Sequence, residues 1–131
     1  MSVSVEYVLD ASALLAFLIQ ESGHERVKEL LGRSAISAVN LAEAMNKIAE
    51  KTQSVESARE YLISLELAVE DWSAEMAFQS AQFTRFNKSH GLSFGDRACL
   101  TLAKHLRATA VTADRSWRRA PSLGVPVMIF R

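Results

Sequence analysis

The chain has little with which to crosslink or interrupt itself. Its single cysteine, Cys99, cannot form an internal disulfide, which excludes the stapled class of small secreted folds and suits a reducing compartment. Two prolines and five glycines in 131 residues leave no linker, and no repeat or low-complexity tract occurs. The three histidines, His24, His90 and His105, lack metal-ligand spacing and read as surface or helix-end residues. Neither G-x-G-x-x-G nor a P-loop is present, which argues against dinucleotide and NTP binding. The longest apolar run, residues 8–19, is too short to span a bilayer and carries Asp10 inside it. With no basic segment before it, neither a signal peptide nor a membrane helix is expected, and the expected compartment is the cytoplasm.

What is present is a core. At 49% hydrophobic residues, the chain reads as one compact domain over 1–131. The formal net charge is zero, but the halves differ. Residues 1–90 carry 8 Lys/Arg against 13 Asp/Glu, and residues 91–131 carry 7 against 2. A basic C-terminal third can meet a polyanion, although an ordinary solvated surface looks the same in sequence.

The apolar pattern predicts strands at 3–9, 34–37, 67–71, 109–112 and 125–130. Between them it predicts helices at 12–22, 22–33 (Ser22 as N-cap, Gly32 as stop), 38–51, 54–65, 73–91 and 93–107, with one helical turn at 114–119. This alternation implies an α/β fold, a three-layer α/β/α domain with a short, mainly parallel sheet. Ligands of such sheets gather beyond the carboxyl ends of the strands.

Four acids fall on that rim. Asp10 follows the first strand, Asp114 comes two residues after the fourth, Glu43 lies early in the helix after the second, and Asp96 opens the helix starting near Ser93. Each has an ordinary structural reading. Asp10 and Asp114 can cap helices, Ser93 and Asp96 have capping-box spacing, and Glu43 can pair with Lys47. Together, however, they would repel one another unless a cation neutralised them, and all-oxygen ligation suits Mg²⁺ or Mn²⁺.

The segments "VLDASALLAFL", "SAVNLAEAMNK", "LSFGDRACLTLA" and "AVTADRSW" together resemble the PIN-domain ribonucleases, specifically the VapC toxins of bacterial toxin–antitoxin pairs. The resemblance runs from end to end and implies a single PIN domain. It implies that Asp10, Glu43, Asp96 and Asp114 form an acidic metal site. Ser12 and Thr112 match small hydroxyl positions that support it. The implied activity is Mg²⁺-dependent endoribonuclease cleavage, with Mn²⁺ as a possible substitute. Implied partners are a cognate antitoxin, a structured RNA such as tRNA or rRNA, and a second copy in a homodimer.

Phosphodiester hydrolysis needs an activated water and charge neutralisation at the phosphate and the leaving oxygen, all of which a carboxylate-held metal supplies. Asp10 and Asp96 are expected to ligate most directly, while Glu43 and Asp114 act through water or orient it. Arg97 and Arg115 are candidate phosphate contacts. Cys99 is expected in the core. A phosphoaspartate hydrolase would need an acid where Ser12 stands, and a receiver domain would need paired acids and a late lysine, both absent. A catalytically inert PIN-like or receiver-like module that binds a partner is the alternative.

Overall fold

The computed structural model describes residues 4–51, 53–86, 91–118 and 124–131. The elements, in chain order, are β1 (Tyr7–Leu9), α1 (Ala11–Leu18), α2 (His24–Leu30), β2 (Ser34–Ser37), α3 (Ala38–Glu50), α4 (Val55–Ser64), β3 (Ala68–Glu70), α5 (Ala74–Ser80), α6 (Phe94–Leu106), β4 (Thr109–Thr112) and β5 (Val127–Ile129). Short 3-10 segments occupy Leu31–Arg33, Ala81–Phe86 and 115–118. The five strands form one sheet in the order β3-β2-β1-β4-β5, every pairing parallel. Strand order therefore reverses between β1 and β4, which places a ligand crevice at their carboxyl ends.

Alternation along the short strands divides the core in two, because successive side chains leave a strand on opposite faces. Leu9, Ile36 and Val111 join Leu14 and Phe17 of α1, Val27 and Leu30 of α2, and Ala44 and Leu62 on one face. Val8 and Ala110 join Phe83, Trp117 and Cys99, Leu100, Leu102 and Ala103 of α6 on the other. Helix α3 packs on α1 and also on α6, so it closes the carboxyl end of the sheet between the two helical layers. No helix among the described residues is long and apolar enough to cross a membrane.

The pattern-based boundaries hold at β2 and β4 and shorten elsewhere. The strand expected over 3–9 is regular only from Tyr7, and Val3 lies outside the described residues. The long helix expected over 73–91 ends at Ser80 and tightens into 3-10 geometry. There the Ser80 hydroxyl donates to the Ala77 carbonyl at 2.8 Å, a local competitor of the helical ladder, and Phe83 is fully buried. Residues 87–90, with His90, lie outside the described residues, as does Arg119. The second helix ends at Leu30, just before Gly32, and passes into the 3-10 turn Leu31–Arg33, and the Ser34 hydroxyl satisfies the Leu30 carbonyl at 2.7 Å.

Ser22 is not the N-cap of α2. Gly23 is, with φ +88°, and a Cβ there would lie 2.7 Å from Cδ2 of Phe130. The missing side chain thus serves both the left-handed backbone and the packing of the C-terminal aromatic ring. Gly23→Ala is expected to lower stability by roughly 1–3 kcal/mol, read as a shift of the urea midpoint with an unchanged slope.

Candidate functional site

The carboxyl ends of β1 and β4 carry a connected polar network. Asp10 directly follows β1, and its backbone N–H donates to the Val111 carbonyl of β4 at 3.0 Å. Its side chain caps α1: Oδ1 accepts from the Ala13 N–H at 2.9 Å and from the Ser12 hydroxyl at 2.6 Å. Oδ2 accepts from the Thr112 hydroxyl at 2.5 Å. Both hydroxyls also accept. Ser12 Oγ takes the Ala113 N–H and Thr112 Oγ1 takes the Asp114 N–H, each at 3.0 Å. Two hydroxyls thus relay backbone donors of the β4 turn onto one carboxylate, which only 7% exposure leaves nearly out of solvent.

The other acids arrive from separate elements. Asp96 lies in the first turn of α6, where it forms a reciprocal capping box: its Oδ2 accepts from the Ser93 N–H at 2.9 Å, and its own N–H donates to Ser93 Oγ at 3.1 Å. Asp114 opens the 115–118 turn, its Oδ1 accepting from the N–H and hydroxyl of Ser116. Glu43 comes from α3 and does not pair with Lys47, whose nearest acid is Glu50 at 3.6 Å. Instead Glu43 Oε1 accepts from Asn40 Nδ2 at 2.8 Å. Asp10, Ser12, Asn40, Glu43, Asp96, Thr112 and Asp114 line one open cavity of about 360 Å³.

The four acids, set on the rim by their spacing, and the two hydroxyls, indicated by the family resemblance, all line this cavity, and so does Asn40, which the sequence reading does not name. The only signal available was its position three residues before Glu43, which puts both on one helical face. Arg97 is half-buried beside Asp96 and Arg115 is exposed, and neither makes an ion pair among the described residues. His24 and His105 sit at helix ends away from this network. Cys99 is fully buried beneath it, where burial and the charges of Asp10, Asp96 and Glu43 push its thiol well up.

The electrostatics are those of crowded anions. Burial pushes the Asp10 carboxyl up from 3.8 to about 6 against the hydrogen bonds from Ser12, Thr112 and Ala13, and the Asp96 charge adds to the rise. Asp96 is raised by burial and by Asp114, against its Ser93 bonds and the Arg97 charge. A second cavity of about 370 Å³, lined by Leu41, Met45, Leu62, Ile63 and Val69 among others, is an apolar groove between α3, α4 and the edge strand β3.

A hard divalent cation suits this donor set. Every candidate ligand is an oxygen, two of the carboxylates are held against their own charge, and Asn40 Oδ1 is buried without a partner among the described residues. Among the described residues no three His, Cys, Asp or Glu side chains converge as a ready cage. Mg²⁺ keeps several of its waters, so ligation here would be partly through water.

The raised Asp10 value carries a stability consequence. A carboxyl that titrates higher folded than unfolded destabilises the native state above its folded value, and that cost fades as pH falls through about 6 toward 3.8. With divalent ions chelated, lowering pH from 7 to 5 should therefore stabilise wild type by about 1–2 kcal/mol relative to Asp10→Asn, read from paired urea titrations.

No curated protein sequence matches the chain. Solved structures share its fold at low identity. They include the VapBC2 complex of Rickettsia felis bound to promoter DNA, 22% identical, with 95% of this chain and 98% of that chain covered and a TM-score of 0.74. Similar too are the DNA-bound VapBC of Salmonella typhimurium (22% identical, 97% and 99% covered, TM-score 0.73) and the sarcin–ricin loop cleaving toxin VapC20 of Mycobacterium tuberculosis (16% identical, 88% and 95% covered, TM-score 0.72). The model of the PIN domain matches residues 7–123, and with that span of the chain covered the protein belongs to the PIN-domain family.

Proposed function

We propose that the protein is a single-domain, divalent-metal-dependent endoribonuclease, the toxin of a toxin–antitoxin pair. The observation that carries this reading is the acid pocket. Carboxylates from four separate elements line one cavity at the point where strand order reverses. No fold needs that arrangement for stability, since like charges in a half-buried site oppose folding. Membership of the PIN family and the likeness to VapBC complexes support it.

In this reading Asp10 and Asp96 are the most direct metal ligands, and Glu43 and Asp114 bind through water or orient the attacking water. Mg²⁺, or Mn²⁺ in its place, would supply charge neutralisation and a water of lowered pKa. Ser12 and Thr112 hold the Asp10 carboxylate still, so that the site is organised before substrate arrives. Glu43 is exposed on the pocket rim, where a water can reach it. Arg97 and Arg115, unpaired with any acid among the described residues, are available to the scissile phosphate. The substrate class is a structured RNA, tRNA or rRNA, whose splayed single strand can enter a recessed pocket. A cognate antitoxin is the expected protein partner, and the apolar groove along α3, α4 and β3 has the chemistry to receive an apolar segment of it. The toxin acts as a homodimer in the cytoplasm.

Purified protein should cleave a bulk tRNA and rRNA substrate with Mg²⁺ or Mn²⁺, and Asp10→Asn should lose at least about 100-fold of that rate. Cleavage that persists in excess EDTA, or in Asp10→Asn, would overturn the metal mechanism; folded, metal-binding protein that cuts nothing would favour a partner-binding module. A separate test concerns the basic C-terminal third. Removing Arg115 and Arg118 together should weaken RNA binding and make the salt dependence shallower by about one to two units of slope. An unchanged slope would assign both to ordinary solvated surface.

A further inference from the structure

Asn40 is 1% exposed and lines the acid pocket. Its Nδ2 makes two donations, to Glu43 Oε1 at 2.8 Å and to the Gly95 carbonyl at 2.9 Å. The reverse orientation of the amide would set an oxygen against two acceptors, so the chemistry of the partners fixes which atom is which. Among the described residues Oδ1 is then left buried with no partner. Unpaired buried acceptors are rare in folded proteins and call for a group that completes them.

The neighbouring backbone makes the arrangement more specific. A Cβ on Gly95 would overlap the Glu43 carboxylate, so the first turn of α6 lies directly against that side chain. Asp96 is the next residue. The Asn40 carboxamide therefore joins the helix bearing Glu43 to the turn bearing Asp96 and still has one acceptor to offer. A carboxylate at this position could accept but not donate, and would add a further like charge. A hydroxyl has one proton and cannot make both donations.

We propose that Asn40 is a positioning residue of the acid pocket, its two donated bonds holding Glu43 beside Asp96 and its free Oδ1 accepting from the water shell of the divalent cation. This rests on the reading of the pocket as a cation site. It adds to the four acids a neutral oxygen, which completes the shell without adding to the repulsion among them.

The test is Mn²⁺ binding by the full chain after chelator treatment, read from the electron paramagnetic resonance signal of free Mn²⁺, with circular dichroism to confirm folding. Asn40→Ala should bind Mn²⁺ about 10–100-fold more weakly than wild type while remaining folded. A residue that only packs would lower the melting temperature and leave the affinity unchanged, so binding within about twofold of wild type overturns the proposal. Asn40→Asp keeps the shape of the side chain but can make neither donation, so it too should bind Mn²⁺ about tenfold or more weakly than wild type, and it carries the test if the alanine variant does not fold; binding within about twofold of wild type overturns the proposal. Wild-type protein that binds no Mn²⁺ would remove the cation reading and this inference together, whereas an unaffected Asn40→Ala beside a weakened Asp10→Asn would remove this inference alone.

Discussion

Everything at the working end of this molecule depends on the Asp10 carboxylate being buried and held at the seam between β1 and β4. The two strands are distant in sequence, and the backbone bond from Asp10 to Val111 sets their register at its last rung. Beyond that rung β1 and β4 share no further ladder pair to hold their turns together. The Ser12 and Thr112 hydroxyls replace it, each passing a backbone donor of the β4 turn to an oxygen of Asp10. Satisfying the carboxylate and fixing the turn that carries Asp114 are one event. This explains why a charged group can sit in the most apolar segment: it is desolvated, but three donors meet it.

The sheet supplies the rigidity that makes such a site workable. Its strands are only three or four residues long, yet an apolar cluster covers each face. Parallel strands with both faces buried must be apolar throughout, so polar groups are displaced to the strand ends. There the helices begin, and their first turns offer free N–H groups. Polar side chains at those positions are stabilised by the backbone and simultaneously turned toward the crevice.

Capping and site-building are accordingly the same placement. Asp10 caps α1 and Asp96 completes the capping box of α6, as their ordinary structural readings require, and both carboxylates still line the acid pocket. The two interpretations of these residues were never exclusive. A capping contact uses one oxygen and part of the lone-pair capacity of a carboxylate. What distinguishes these caps from surface caps is burial, together with repulsion from a neighbouring acid, Asp96 for Asp10 and Asp114 for Asp96, which raises both of them. Glu43 shows the opposite outcome, since the helix-surface pair with Lys47 that its spacing allowed does not form, and its partner is Asn40.

The order of strands and helices along the chain, the parallel sheet and the place of the acids at strand ends could be read from the chain because each follows from local rules: apolar runs of strand length, helical periodicity, and polar residues where a strand gives way to a helix; the two hydroxyls were indicated only by the family resemblance. Helix ends were less legible. Gly23 rather than Ser22 begins α2 because the Phe130 ring, more than a hundred residues later, occupies the space a side chain would need. The helix expected to reach residue 91 tightens after Ser80 where Phe83 enters the core. Asn40 could not be identified at all, because its meaning lies in the Gly95 carbonyl and in the absence of a side chain on Gly95, both on another helix. Sequence by itself determined which residues lie at strand ends and can bear charge there. Only the tertiary structure decided which of them share solvent, protons and repulsion, because burial and distance between separate elements, not spacing along the chain, set the electrostatic energy of a carboxylate.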